Sequence, residues 1–189
     1  MSAARGGGVL VTGFGPFLAV TDNPSARLAL AVHAPEGEPA VHALVLPVSY
    51  ARAAALTVEA ARRLGVDLVL GLGVATGRTE ACVERVGRIE LDPRVADVDE
   101  VRRDRVLDRT GAPASVHATL PVEVLARALG AQVSEDAGRY VCNAWLYEVG
   151  LLLGGELPVG FVHLPPQGMA PERLRTGIAA LLAREAVLG

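Results

Sequence analysis

The chain has 189 residues, a net charge of −3, and 51% hydrophobic against 21% charged residues. This length suits a single domain, and so high an apolar fraction excludes an intrinsically disordered chain. The mildly acidic charge, with no basic cluster and no long uncharged apolar segment, predicts no binding to nucleic acid and no association with a membrane.

The first half of the chain predicts three buried strands that alternate with two helices. Short apolar runs that end at or beside glycine or proline indicate the strands, at residues 9–13, 40–48 and 67–73. Asn23 is the expected N-cap of the first helix, since Pro24 follows it and proline is favoured in a first helical turn. An alanine-rich stretch predicts the second helix at residues 49–64, with Ser49 as its cap.

The middle of the chain has a different character. An alternating strand at residues 83–91 leads into a charged, irregular segment that reaches about residue 116. We expect this middle part, residues 83–116, to form a loop-rich excursion rather than a domain, because it has too few apolar residues for a core of its own.

The last third of the chain returns to alternating elements. Helices are predicted at residues 120–130, 141–153 and 170–187, and strands at residues 131–135 and 158–165. Because strands alternate with helices along the chain, we expect one α/β domain, residues 1–189, with a mostly parallel sheet and helices on both faces.

Two residues lie where an open α/β sheet carries its ligands, outside the carboxyl ends of the strands. His163 ends an apolar strand, and Cys142 begins a helix after a short strand. The partial positive charge at a helix N-terminus favours thiolate, so we expect a lowered pKa for Cys142. A neighbouring imidazole would complete a nucleophilic pair. The alternative is that both residues are structural, as Cys82 is expected to be.

An acidic residue that orients the histidine would complete a triad. Glu80, Glu84 and Glu90 all lie near the end of the third predicted strand and its continuation. Spacing does not choose among them. The residues therefore predict a cysteine hydrolase whose acidic member is open.

The glycine-rich stretches favour neither a nucleotide nor a metal site. Leu18 stands where a dinucleotide fingerprint needs its third glycine, and residues 71–79 lack the Gly-Lys-Ser/Thr of a P-loop. We expect these glycines to allow close approach of the backbone to a small ligand. The two cysteines and four histidines show no metal-ligand spacing, and we expect free thiols in a cytoplasmic protein.

Five stretches, in order along nearly the whole chain, together resemble one known family. They are VLVTGFGPFLAVTDNPS, LPVSY, GVATGRTEACVERV, TLPVEVLARAL, and DAGRYVCN with GFVHLP. This set is similar to the pyroglutamyl-peptidase I family, also called the pyrrolidone-carboxylate peptidases. The resemblance implies a three-layer α/β/α sandwich, a homo-oligomer that is commonly a tetramer, and no metal or cofactor.

The resemblance also assigns roles to residues. It implies that Glu84, Cys142 and His163 are catalytic and that Arg94 lies near the scissile carbonyl and supports the oxyanion. Phe14 and Phe17 would sandwich the flat pyrrolidone ring. The full substrate-binding set that it implies is Phe14, Phe17, Asn23, Val74, Tyr140 and Val141.

The expected function is removal of an N-terminal pyroglutamyl residue from peptides through an acyl-enzyme. Two departures keep alternatives open: Val74 stands where the family usually has glutamine, and Ala144 replaces a histidine. One alternative is a diverged cysteine hydrolase of another small acyl amide. The other is a catalytically silent homologue that serves in binding or assembly. The excursion's valines, at positions 95, 98 and 101, are either interface residues or loop anchors.

Overall fold

A computed structural model of the protein describes residues 7–33, 36 and 38–188. The ends of the predicted domain, residues 1–6 and 189, lie outside the described residues. The strands are β1 (Gly8–Phe14), β2 (Ala40–Leu46), β3 (Leu68–Val74), β4 (Cys82–Glu84), β5 (Val86–Arg88), β6 (Ser115–His117), β7 (Gln132–Ser134) and β8 (Val159–Leu164). The helices are α1 (Pro24–Ala31), α2 (Ala53–Leu64), α3 (Val122–Leu129), α4 (Val141–Leu153) and α5 (Pro171–Leu188).

Six strands form the central sheet, in the order β2-β1-β3-β8-β4-β7. β2, β1, β3 and β8 run parallel to one another, as strands joined by crossover helices do. β4 is antiparallel to β8 and parallel to β7. The expected mostly parallel α/β sheet is confirmed, and the antiparallel β4 was not anticipated.

Helices cover both faces of the sheet, which gives the expected three layers. α2 and α4 pack on one face around buried residues such as Trp145 and Phe161. α1, α3 and α5 pack on the other face around residues such as Leu70, Val162 and Leu174. The central strands are buried on both sides, so their sequences are continuously apolar and do not alternate.

The charged excursion is the part that sequence patterns described least well. The strand expected at residues 83–91 is two short strands, and β5 leaves the main sheet to pair with the unpredicted β6. This second sheet lies over α4, where the β-carbon missing from Gly87 would meet Tyr147 N at 2.6 Å. α4 is therefore buried on most of its surface. None of the described helices, α4 included, combines the length and the apolarity that crossing a bilayer requires.

The helix starts test the capping predictions. Asn23 is the N-cap of α1, and its Oδ1 accepts the Ser25 N–H at 3.0 Å, so this prediction is confirmed. The prediction that Ser49 caps α2 is wrong, because α2 begins only at Ala53. Ser49 Oγ instead accepts the Arg52 N–H at 3.2 Å and stabilises the turn before the helix.

Candidate active site

Three elements bring the predicted chemical residues to one edge of the sheet. Cys142 is the second residue of α4, His163 lies near the end of β8, and Glu84 ends β4. His163 stands opposite Gly73 of β3 on one side and Cys82 of β4 on the other. Directly opposed residues of neighbouring strands face the same side of a sheet. The carboxylate and the imidazole therefore both face the layer that holds α4.

The antiparallel register decides which acidic residue meets the histidine. Glu84 Oε1 lies 2.8 Å from His163 Nδ1, and both side chains are buried. Glu80 instead accepts a hydrogen bond from the exposed Gln132 amide at 2.9 Å. Glu90 is exposed and lies 3.5 Å from Arg139. A carboxylate on Nδ1 leaves Nε2 of the imidazole free to exchange a proton with a nucleophile.

The position of the Cys142 sulfur depends on a glycine. A β-carbon on Gly73 would lie 2.8 Å from Cys142 Sγ and 2.8 Å from Phe161 Cζ. The sulfur thus rests directly over the backbone of β3, beside the residue that pairs with His163. Gly71 similarly makes room for the Trp145 and Phe161 rings. At Gly71 and Gly73 the expectation that glycine allows the approach of a ligand is wrong, because side chains of the protein fill the space.

The expected lowering of the cysteine pKa is also wrong. Burial, with a smaller contribution from the nearby Glu84 carboxylate, raises the pKa of Cys142 to about 12. A hydrogen bond with the backbone of Cys142 opposes both effects and is outweighed. The helix N-terminus does not compensate for loss of solvation, so the free protein holds a thiol.

A cavity of about 210 Å³ opens above the sulfur and the imidazole. Of the residues predicted to bind substrate, Phe14, Phe17, Asn23, Val74 and Tyr140 line it. The other lining residues, apart from Cys142 and His163, are Val48, Ala75, Thr76, Ala137, Gly138 and Arg139. The surface is mainly apolar, which suits a flat uncharged group.

Two predicted site residues lie elsewhere. Val141 is buried in the core beneath α4, with 1% of its surface exposed. Arg94 has a side chain that is 86% exposed and pairs with Asp92 at 2.7 Å. That pairing lowers the pKa of Asp92 to about 2. In this conformation Arg94 is not among the described residues that line the cavity.

The excursion supports the aromatic wall of the cavity. Phe17 and Tyr140 have ring centroids 6.0 Å apart, and the Tyr140 hydroxyl donates to Ala96 O at 2.8 Å. Asp97 fixes this part of the excursion: its carboxylate accepts the Tyr50 N–H at 2.8 Å and the Val101 N–H at 2.9 Å.

The excursion's valines divide between the two roles considered for them. Val101 packs against the α2–α4 core, which supports the anchor role for this residue. Val98 is 43% exposed, although its backbone N–H donates to Val48 O at 3.1 Å. Position 95 is half-buried.

Two further residues organise the site and were given no role from the sequence. Arg78 donates to Glu84 Oε1 at 2.5 Å, and the only signal for it was its place in the quoted Gly-Arg stretch. Asn143 is buried beside Cys142, where its amide accepts the Arg88 N–H at 2.8 Å and donates to Arg88 O at 2.9 Å. Ala144 is a core residue with 3% exposure, so the position of the family's histidine faces the interior here.

The described residues contain no cluster of three or more His, Cys, Asp or Glu side chains that could hold a metal ion. The side chains that meet at the site are a cysteine thiol, an imidazole and a carboxylate, beside an apolar cavity. This set suits acyl transfer through a covalent intermediate.

Comparison with known proteins gives one consistent result. A family model described as pyroglutamyl peptidase matches residues 8–181. The pyrrolidone-carboxylate peptidase of Deinococcus radiodurans is 36% identical, over 83% of this chain and 77% of the relative. That of Streptomyces coelicolor is 38% identical, over 92% of this chain and 83% of the relative. The structure of pyrrolidone carboxyl peptidase from Thermococcus litoralis superposes with a TM-score of 0.86, at 26% identity over 96% of each chain.

Proposed function

Because the chain belongs to the pyroglutamyl peptidase family, we propose that Cys142, His163 and Glu84 carry out its reaction as nucleophile, general base and orienting acid. The protein is a cysteine peptidase that removes N-terminal pyroglutamate from peptides. The observation that carries the residue assignment is the 2.8 Å contact between His163 Nδ1 and Glu84 Oε1, beside the cavity that Cys142 also lines.

The first half of the reaction starts from a neutral thiol. As Cys142 Sγ attacks the carbonyl of the pyroglutamyl residue, its proton passes to His163 Nε2 and the carbonyl electron pair moves to oxygen. Burial raises the pKa of this thiol to about 12, so proton transfer accompanies the attack. Glu84 accepts the Nδ1 hydrogen and stabilises the imidazolium that forms. When the carbon–nitrogen bond breaks, the imidazolium gives its proton to the departing amine.

The second half regenerates the enzyme. Water attacks the thioester carbonyl and passes a proton to His163 Nε2. The carbon–sulfur bond then breaks, the sulfur recovers the proton, and 5-oxoproline leaves. The same imidazole thus serves as base in each attack and as acid in each departure.

Backbone donors are proposed to hold the oxyanion. The Cys142 N–H lies in the first turn of α4, where amide groups have no partner inside the helix. A pre-aimed donor of this kind is worth roughly 3–4 kcal/mol of barrier. The supporting role of Arg94 stays a prediction, and it requires the guanidinium to leave Asp92 when the substrate binds.

The cavity favours a pyroglutamyl residue over an ordinary N-terminal residue. Phe14, Phe17 and Tyr140 offer aromatic surface to the lactam ring, and Val74 adds an apolar wall. A free N-terminal ammonium would lose its hydration there without a counter-charge, at a cost of several kcal/mol. Asn23 is proposed to position the ring, since its amide donates to Gly15 O at 3.0 Å and shapes the loop between them.

Val74 favours a second candidate function. This apolar residue lines the cavity where the resemblance implies a glutamine, so a polar contact to the ring is replaced by hydrocarbon. A diverged specificity for another small acyl amide is the candidate that this observation supports.

The assembly and location are also proposals. We propose a homo-oligomer, commonly a tetramer in the family, and support comes from the exposed apolar residues Leu18, Val45 and Val98. A single domain is proposed because both cores share one sheet. A reducing cytoplasm would keep Cys82 and Cys142 as the free thiols that they are in the structure.

The test is hydrolysis of pyroglutamyl, prolyl and alanyl amides of a fluorescent coumarin under reducing conditions. We expect turnover of the pyroglutamyl amide alone, abolished in Cys142→Ala while Cys82→Ala keeps full activity. Turnover of a different amide would support the diverged hydrolase. No turnover of any amide by folded protein would support a silent homologue and overturn the proposed mechanism.

A further inference from the structure

We propose that Arg78 is a positioning residue for the peptidase reaction: it fixes the Glu84 carboxylate toward His163 and ties it to residues 134–140, the wall segment of the cavity. The wall segment connects β7 to α4 and carries four of the cavity-lining residues, at positions 137–140. This inference rests on the proposed role of Glu84, and the experiment below separates the two.

The first step concerns the carboxylate itself. Glu84 has no exposed surface, and a single oxygen, Oε1, holds both of its polar contacts, to His163 Nδ1 at 2.8 Å and to Arg78 Nη1 at 2.5 Å. Oε2 is buried and has no hydrogen-bond partner among the described residues. Burial disfavours an ionised carboxylate unless a cation offsets it. Arg78 supplies that cation and, by sharing Oε1, restricts rotation of the carboxylate.

The second step concerns the other nitrogen of the same guanidinium. Arg78 Nη2 donates to Asp136 O at 2.6 Å and to Ser134 Oγ at 3.2 Å. Ser134 Oγ in turn accepts the Asp136 N–H at 3.2 Å. One planar group therefore binds the catalytic carboxylate at one end and the start of the wall segment at the other. Lysine has a single ammonium and could not reproduce both ends.

The third step concerns how Arg78 is held. Its N–H donates to Ala75 O at 3.0 Å, and the Ala75 N–H donates to Leu164 O at 2.9 Å, so the turn after β3 is fixed to the end of β8. The same turn presents Ala75 and Thr76 to the cavity. Arg78 thus joins three parts of the site that are distant in sequence.

Other ionisable groups around the Glu84–His163 pair are few. Cys142 faces the pair from α4, and Cys82, the first residue of β4, lies beside the Arg78 side chain. The Asp136 carboxylate is directed to the Gly138 N–H at 3.0 Å. Without Arg78, the imidazole is the remaining hydrogen-bond partner that can offset the buried Glu84 charge, which favours imidazolium, and imidazolium cannot act as a base.

The test compares pH profiles of kcat/KM for Arg78→Met, Arg78→Lys and Ser134→Ala, with Arg62→Met as control. Arg62 pairs with Glu156 at 2.7 Å on the surface and does not line the cavity. In Arg78→Met we expect kcat/KM to fall about tenfold or more, and the acid limb to move up by about one pH unit. In Arg78→Lys the limb stays near its original place and KM rises. Ser134→Ala raises KM alone.

An Arg78→Met enzyme with the original acid limb would overturn the electrostatic part of the inference. If that variant fails to fold, unchanged KM in both Arg78→Lys and Ser134→Ala overturns the link to the wall segment. Glu84→Gln separates the two proposals. Full activity in Glu84→Gln would contradict the proposed triad, whereas loss of activity there with a normal Arg78→Met enzyme would contradict only the role of Arg78.

Discussion

At the scale of single residues, the position of the Cys142 sulfur depends on Gly73, which has no side chain. Gly73 has no β-carbon, and Cys142 Sγ lies 2.8 Å from the point where one would stand. Cys142 is half-buried, and its side chain packs against the core that contains Phe161. The proposed nucleophile is therefore oriented by packing against β3 as well as by its own helix.

Gly73→Ala should displace the sulfur and damage catalysis more than folding. The added carbon would lie 2.8 Å from Cys142 Sγ, inside van der Waals contact. We expect kcat to fall tenfold or more and the free energy of unfolding to fall by about 1–3 kcal/mol. Gly77→Ala is the matched control, since a β-carbon there meets nothing within 4 Å. Activity within a factor of two of the original would show that the sulfur needs no such restraint.

The raised pKa of Cys142 predicts slow alkylation of the free enzyme near neutral pH. The pKa of the Cys142 thiol is raised to about 12. At any pH below this value, the thiolate fraction, and with it the alkylation rate, should increase about tenfold for each unit by which the pH is raised. The measurement is the rate of iodoacetamide modification in a Cys82→Ser background, from about pH 7 to 10. The double variant with Cys142→Ser reports background labelling. A plateau below pH 9 would instead indicate a thiolate–imidazolium pair.

Residue-level prediction succeeded where position along a strand was enough. Cys142 and His163 were expected at one edge of the sheet, because helix starts and strand ends meet there, and both line one cavity. Their chemical roles stay predictions. The raised thiol pKa was missed, because desolvation depends on neighbours from β3 and β8 that no local pattern reveals. Arg78 was missed for a similar reason, since its partners are 6 and 56 residues away.

At the scale of elements, the excursion serves as a brace for the cavity. Its buried residues Ile89, Leu91 and Val106 complete the α2–α4 core, and Ala96 O accepts a hydrogen bond from the Tyr140 hydroxyl. Asp97 is the central support, because its two oxygens accept N–H donors from both the excursion and the turn before α2. An irregular segment is here held by side-chain hydrogen bonds in place of a strand ladder.

Asp97→Ala should loosen this brace. Removing the buried carboxylate leaves backbone donors unpaired, at a cost of about 1–3 kcal/mol each. We expect KM to rise several-fold through the freed Tyr140, and tryptic cleavage near Arg102 and Arg103 to become faster. Asp108→Ala, an exposed carboxylate in the same excursion, is the control. If tryptic cleavage becomes faster while KM is unchanged, the excursion does not contribute to substrate binding through Tyr140.

Element-level prediction failed where pairing was non-local. Residues 83–91 alternate as one strand would, yet the chain changes sheet after Glu84. Period-two patterning reports that a face is buried and says nothing about which neighbour pairs with it. The antiparallel β4 is also what selects Glu84 over Glu80 and Glu90, so the acid could not be chosen by spacing alone.

At the scale of the whole molecule, two cores share one six-stranded sheet. The α2–α4 core contains Trp145, and the opposite core contains Leu174 of α5. The strands between them are buried on both faces, so neither core can open without exposing the other. Composition and alternation along the chain were sufficient to predict this architecture.

Unfolding in denaturant should therefore be a single transition. Trp145 is the one tryptophan, so its fluorescence reports on the α2–α4 core, and far-ultraviolet circular dichroism reports on all helices. We expect coincident midpoints, and a joint downward shift in Leu174→Ala from a loss of about 2–5 kcal/mol. Two separated transitions would indicate two units and contradict the proposed single domain.

The start of α4 has a consequence for how this site can vary. Tyr140, Cys142, Asn143 and Ala144 follow one another almost without interruption, yet they face the cavity, the reacting centre, the excursion and the core. Each residue of a helix is rotated by about 100° from the one before it. Deleting or inserting one residue among residues 140–144 would turn these side chains toward the wrong neighbours. The stretch is therefore locked in length, and divergence there can proceed only by exchanging one amino acid for another.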